Sequence, residues 1–283
     1  MVSDTSRADI DMEPVDLTGV PETMLWPLWN RAAETRRPDR LIEDPMAADL
    51  VGRLDYDFAG SFGRPSVVHA IRARVCDDLI RGYLQRSERD PVVVALGDGL
   101  ETQLWRLGDT SARWLSVDLP EAIALRRRLL PEHPRVAMFE GSALDPAWMD
   151  AVPKGAAPFI SAAGLLMYFE EADVVALLSR IAERFPGAEV FFDAIPPFFS
   201  RKTLRGFKVT RTYTAPPMPW GIRIDDLPAF LHAIPGIESV EIQTYADPFP
   251  ERVHMFKLLS KIGFLRRRLA ACLVHLRIAP RDR

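Results

Sequence analysis

Cysteine is scarce in this chain: among 283 residues there are two, Cys76 and Cys272, far apart and with no Cys or His at ligand spacing. That excludes a disulfide framework and a zinc site of the usual spacing, and leaves both thiols as small core residues. Long apolar runs are missing too. No stretch approaches the roughly 20 residues a bilayer span requires. The opening MVSDTSRADIDMEPVDL has no apolar segment behind a basic end, so it is not a secretory signal. These absences point to a cytoplasmic protein with no membrane partner. Excess charge is also lacking: 36 basic residues face 39 acidic ones, a net charge of -3, which gives no bulk reason to bind nucleic acid. The five histidines are scattered, none beside a recognisable partner. Nothing in the pattern reports an oligomeric state.

What is present is enough apolar material, 48% of the residues, to bury a full core. Residues 1–20 carry five aspartates and glutamates without periodicity and read as a mobile N-terminal arm. The rest, 21–283, reads as one α/β domain. Its first part, 21–88, is a helical cover: Met24, Leu25, Leu28, Trp29, Ala32 and Ala33 recur at helical spacing, then Met46, Leu50 and Leu54. A third helix over about 66–85 places Val68, Ile71, Val75 and Leu79 inward and Arg72, Arg74, Asp77 and Asp78 on its polar side.

Strand and helix alternate after Pro91. PVVVAL is a short continuous apolar run, as expected of a strand buried on both faces. WLSVD (114–118), a helix over 121–130, VAMFE (136–140), PFISA (158–162), a helix over 171–185 and EVFFDA (189–194) follow. The order predicts a doubly wound, mostly parallel sheet, brought to seven strands by 239–245 and 272–278. The stretch 195–221 exceeds an ordinary connection of about 2–6 residues and reads as a substrate lid. Its aromatic and basic side chains, including Arg201, Arg205, Tyr213 and Trp220, are candidates for substrate contact.

The chemistry-bearing motif is LGDGL (96–100) directly after the first central strand. Gly97 and Gly99 permit a tight turn at the carboxyl edge of the sheet. Asp118 follows nineteen residues after Gly99, at the end of the next strand, where a carboxylate can hold both hydroxyls of a ribose. VDLPEA also suits a plain helix start. The third glycine of a dinucleotide fingerprint is replaced by Thr102, which counts against a nicotinamide oxidoreductase.

Seven segments in order, PETMLWPLWNRAAETRRPDRLIEDPMA, AIRARVCDD, LGDGLETQLWRL, VDLPEAIALRRRLLPE, EGSALDPAWMD, AGLLMYF and APPMPWGI, carry a resemblance over about residues 21–250. Together they resemble the leucine carboxyl methyltransferase-like family, in particular its bacterial polyketide O-methyltransferase branch. The resemblance implies a class I methyltransferase fold, S-adenosyl-L-methionine as cofactor, and methyl transfer to a carboxylate or hydroxyl of a small molecule. It further implies that Gly97, Asp98, Gly99 and Ala163 line the methionine end of the cofactor, that Asp118 holds the ribose, and that Ser142 and Ala143 lie beside the adenine. Arg74 would pair with the cofactor carboxylate, and Tyr168 would face the transferred methyl group. No metal is implied.

Departures from the family pattern fall at the methionine end. Gln103 stands where relatives carry arginine, and Ala163 where they carry a glutamate suited to the cofactor ammonium. Asp98 and Glu101, in the glycine loop, are the acids available to replace it. The same departures leave open a protein that has lost transfer and serves as a biosynthetic partner, or one that catalyses a non-methylating step such as cyclisation or decarboxylation.

Overall fold

The computed structural model describes residues 12–87, 90–108, 111–253 and 269–281. Of the expected arm, residues 1–11 lie outside the described residues, as does most of the segment before the terminal strand. Residues 13–14 form a short strand, β1 (Glu13–Pro14), which pairs in parallel with β2 (Leu54–Asp55). Between them, after a 3-10 turn at Pro21–Met24, come α1 (Leu25–Thr35) and α2 (Pro45–Arg53). Asp44 starts α2 by accepting the Ala47 N–H, which satisfies one of the orphan donors of a helix start. Helices α3 (Phe58–Phe62) and α4 (Val68–Arg86) complete the cover.

The sheet begins at β3 (Val92–Leu96), every residue of which is buried. Val92, Val94 and Leu96 face one apolar cluster and Val93 the other, which is why the run shows no alternation. Then come α5 (Gln103–Leu107), β4 (Arg113–Asp118), α6 (Pro120–Leu129), β5 (Val136–Glu140), β6 (Phe159–Ala162), α7 (Glu171–Arg184) and β7 (Glu189–Ala194). The chain continues through α8 (Pro197–Leu204), α9 (Leu227–His232), β8 (Ile237–Thr244) and β9 (Cys272–Ile278). Strand order is β5-β4-β3-β6-β7-β9-β8, with β9 antiparallel to both neighbours and the pairs from β5 to β7 parallel. The α/β class and the seven-stranded, mostly parallel sheet are those expected from the alternation.

Two features position the site. First, β3 pairs with β4 on one side and β6 on the other, so the order reverses there and a crevice opens at the carboxyl ends of the central strands. Second, the 3-10 turn and α1 of the cover line that crevice, and the 195–221 insertion packs against the cover. Thr210 and Thr212 hydroxyls donate to the Ser61 and Gly60 carbonyls at 3.1 and 2.8 Å, tying the insertion to α3. Tyr213 then packs on Phe62, with ring centroids 4.9 Å apart. The insertion is not a bare loop, since α8 occupies its first half and a Lys208–Thr214 bridge its second.

The polar side expected for α4 requires correction. Arg72 and Asp77 are buried, at 9% and 1% exposure. They belong to the inner face, where each finds an opposite charge from elsewhere in the chain.

Candidate active site

The cavity at the sheet edge is built around the turn after β3. Gly97 and Gly99 both have positive φ, +63° and +46°. A Cβ on Gly97 would lie 2.9 Å from the Leu165 side chain, and one on Gly99 would lie 2.7 Å from that of Met24. The glycines are thus required twice: by the backbone, and by the close approach of the post-β6 loop and the 3-10 turn that wall the cavity. Arg126 on α6 clamps this turn from below. Its guanidinium donates to the Gly99 and Glu101 carbonyls, each at 2.8 Å, and pairs with Asp98 at 2.8 Å.

Asp118, at the end of β4, lines the same cavity. One carboxylate oxygen accepts the Gly99 N–H at 2.7 Å and the other the Leu119 N–H at 2.8 Å. A carboxylate has about four acceptor positions, so two backbone bonds fix its orientation and leave capacity for a ligand's hydroxyls. Burial raises its pKa against those two bonds. Ser142 and Ala143 follow β5, whose last residue, Glu140, is the register partner of Asp118. They sit at the neighbouring strand end rather than among the cavity-lining residues, with the Ala143 carbonyl taken by the Trp148 indole.

The opposite end of the cavity is cationic. Arg72 lines it and is anchored by Asp193, at the end of β7, 3.1 Å away. Asp193 also accepts from the Gly164 N–H and from the Tyr245 hydroxyl, the latter at 2.8 Å. Arg74, expected here, points the other way. It is half-buried, pairs with Asp78 at 2.7 Å and donates to the Leu41 carbonyl. Two residues along a helix turn the side chain by about 200°, so only one of the two arginines can face the sheet.

The acids of the glycine loop are both engaged. Asp98 accepts from the Ser116 hydroxyl and pairs with Arg126; burial outweighs both and pushes its pKa up to about 6. Glu101 pairs with Arg31 at 3.0 Å and Arg106 at 2.8 Å. Burial opposes its charge, but those two guanidiniums prevail and hold its carboxyl below the ordinary value. It keeps 25% of its side chain exposed, against 7% for Asp98.

Behind Glu101 lies a buried ionic hub that sequence reading missed. Arg31 (α1) pairs with Asp44 at 2.9 Å; Arg106 (α5) pairs with Asp44 at 2.9 Å and with Asp77 (α4) at 2.6 Å. The Thr102 hydroxyl donates to Asp44 at 2.6 Å, and Gln103 donates to Asp77 at 2.7 Å. Gln103 therefore serves the hub. The signal available in the sequence was charged residues falling at otherwise apolar helical positions, as at Arg31 and Asp77.

Tyr168 lines the cavity from the 3-10 turn Leu166–Tyr168. Burial raises its phenol pKa, so it stays protonated near neutral pH. Ala163 lines the cavity as well. The remaining substrate candidates divide. Tyr213 is buried against Trp26 and Phe62, and Phe207, Val209 and Tyr168 join the small apolar cluster next to it. Trp220 is instead core, 2% exposed between Phe192 and Phe230. Arg201 and Arg205 are exposed and line a separate outer groove with Phe198 and Lys202; they do not border the sheet-edge cavity. Among the described residues no His, Cys, Asp and Glu cluster could hold a metal ion.

The donor set fits S-adenosylmethionine in kind: a buried guanidinium for a carboxylate, an ionised Glu101 for an ammonium, and an oriented Asp118 for ribose hydroxyls. Comparison with known proteins agrees. The family described as Leucine carboxyl methyltransferase matches residues 25–182. The tetracenomycin polyketide synthesis O-methyltransferase TcmP of Streptomyces glaucescens is 32% identical over 241 residues, 84% of this chain and 87% of that one. The S-adenosyl-L-methionine-dependent methyltransferase dpfgK of Gibberella zeae is 28% identical, covering 67% and 70%. In fold, a putative methyltransferase from Thermobifida fusca superposes with a TM-score of 0.57 at 14% identity, over 92% of this chain and 95% of that one. Haemonchus contortus phosphoethanolamine N-methyltransferase 2, solved with S-adenosyl-L-methionine, reaches 0.50 at 14% identity, over 72% and 52%.

Proposed function

Because the chain belongs to the leucine carboxyl methyltransferase family and is an S-adenosylmethionine-dependent methyltransferase, we propose that it methylates an oxygen, carboxylate or hydroxyl, of a small polyketide-like acceptor. The observation that carries this reading is one cavity holding Arg72, Glu101, Asp118 and Tyr168, in a chain 32% identical to a polyketide O-methyltransferase. When bound, the cofactor supplies a sulfonium methyl group: a C–O bond forms as the C–S bond breaks, leaving a neutral thioether.

Each wall has a proposed part in this. Arg72, fixed by Asp193, holds the cofactor carboxylate. Glu101 holds the ammonium in place of the acid missing at Ala163, since it is ionised and keeps 25% of its side chain exposed, where Asp98, also in the cavity lining, keeps 7% and is engaged by Ser116 and Arg126. Asp118 takes the ribose, with Ser142 and Ala143 at the adenine edge. Tyr168, neutral and partly buried at the cavity, orients the acceptor rather than deprotonating it. Residues 195–221 act as the lid that excludes water. A carboxylate acceptor, ionised at neutral pH, suits a cavity whose tyrosine is held protonated.

The test is incubation with methyl-labelled S-adenosylmethionine and a panel of aromatic carboxylic acids and phenols. Label in an ester or ether, matched by S-adenosylhomocysteine release, is the expected outcome. Cofactor binding with no labelled product would favour a non-methylating step, and no cofactor binding a scaffold role.

A further inference from the structure

The aromatic cluster between cover and insertion holds polar groups without a partner among the described residues. His69 stands on the first turn of α4, one turn before Arg72 and Ala73, both of which line the cavity. Its Nδ1 lies 2.6 Å from the side-chain nitrogen of Asn30. A third group decides the proton's place. The Ser66 backbone N–H, which can only donate, bonds to Asn30 Oδ1 at 3.0 Å. The Asn30 amide therefore turns its NH2 toward His69, and an NH2 can only donate. Nδ1 must accept, so neutral His69 carries its proton on Nε2.

Neutrality is also what the surroundings favour: burial first, then the positive charges of Arg72 and Arg31, hold the imidazole pKa well below its ordinary value. Among the described residues nothing accepts from Nε2. Trp26 stands edge-on to both His69, at 5.8 Å, and Tyr213, at 6.3 Å. The Tyr213 hydroxyl is buried and has no partner among the described residues. Tyr168 is near enough to bear on the ionisation of Tyr213.

We infer that His69 Nε2–H and the Tyr213 hydroxyl are the polar contacts of an acceptor site around Trp26, beside Tyr168, and that they receive an oxygen able only to accept, a carbonyl or an oxyanion. The inference deepens the methyl-transfer reading and rests on it. His69 then binds and orients the acceptor and takes no proton from it, because its one basic nitrogen is already occupied by Asn30. The Tyr213 hydroxyl, buried and without a partner among the described residues, is costly in the free protein, and an acceptor oxygen that bonds it together with the His69 N–H is bound at that gain.

The experiment is nitrogen-15 NMR of histidine-labelled full-length protein with S-adenosylhomocysteine, using anthraquinone-2-carboxylate as probe. His69, assigned by its loss in His69→Ala, is expected to show a protonated Nε2 and a bare Nδ1 and not to titrate between pH 5 and 8. Adding the probe is expected to move its Nε2–H signal. His69→Ala should weaken the probe about tenfold while S-adenosylhomocysteine affinity holds, and His69→Gln, which keeps an N–H near that place, should restore most of the loss. Asn30→Asp replaces the donor with an acceptor and should bring His69 into the titrating range, an effect no merely structural role produces. A bare Nε2, a probe that does not bind the complex, or one that binds without moving the His69 signal overturns the inference. Failure of the wild-type protein to bind S-adenosylhomocysteine overturns the methyltransferase reading instead.

Discussion

The two walls of the cavity differ in how their polar atoms are used. On the sheet side, Asp118 takes two backbone N–H groups, Asp98 takes Ser116 and Arg126, Arg72 is held by Asp193, and Glu101 by two arginines. On the side of the cover and insertion, behind the residues that line the cavity, rings pack on rings, Trp26 on Phe62 at 5.5 Å and Phe62 on Tyr213 at 4.9 Å, and the Tyr213 hydroxyl has no partner among the described residues. A wall whose charges are already paired can be preorganised for one invariant ligand. The other wall supplies area and a few open hydrogen bonds, which suits an acceptor whose identity is read by shape.

The paired wall should fail first and hardest. Arg106 joins Asp44, Asp77 and Glu101, all at 2.9 Å or less, with 3% of its side chain exposed. Arg106→Leu leaves three carboxylates short of a partner in a buried hub, and removing one member of such a group costs about 3–5 kcal/mol. Equilibrium unfolding in urea should show that loss, and cofactor affinity should fall with it because Glu101 and the glycine turn lose their support. A change below about 1 kcal/mol would mean that the hub is solvated and that the two walls do not differ as described.

A smaller effect comes from pH. Asp98 sits at about 6 in the folded chain, against 3.8 for an ordinary aspartate, so the folded state binds this proton more tightly than the unfolded state. Its contribution to stability is complete below about pH 4 and is lost as pH rises through 6. The amount is on the order of 2–3 kcal/mol. Neighbours such as Glu101 and Asp44, whose values are lowered, slope the opposite way at more acid pH. The effect is therefore read as the difference between wild type and Asp98→Asn, which should shrink or reverse between pH 4 and 7. A pH-independent difference would place an ionised Asp98 on Arg126 throughout.

The sheet was legible from sequence because its cause is local. Five buried residues in a row at β3 need no partner to be recognised, and a carboxylate at the end of the next strand marks Asp118. The charged half of the site was not, because its partners are distant in the chain. Arg72 meets Asp193 121 residues away, and Arg31 meets Glu101 70 residues on. An amphipathic reading sends every charged residue of α4 outward, whereas the fold buries Arg72 and Asp77, leaves Arg74 half-buried and exposes Asp78. Trp220 and Arg201 failed for the opposite reason: residue type suggested a pocket, and packing assigned one to the core and the other to solvent.

The sharpest and smallest test sets the two arginines of α4 against each other. Arg72→Ala removes the cationic end of the cavity and leaves Asp193, among the described residues, with the Tyr245 hydroxyl and the Gly164 N–H. Loss of a charged hydrogen-bond partner is worth about 1.5–3 kcal/mol, so S-adenosylmethionine should bind roughly tenfold to a hundredfold more weakly by calorimetry. Arg72→Lys should recover part of this, since a point charge replaces the fork without its bidentate fit. Arg74→Ala removes an exposed pair with Asp78 and should change cofactor affinity by less than a factor of two, with stability moving by no more than about 0.5 kcal/mol. Equal losses from both substitutions would mean that α4 turns its other face to the cofactor, and the division between a paired sheet wall and an open aromatic wall would have to be redrawn.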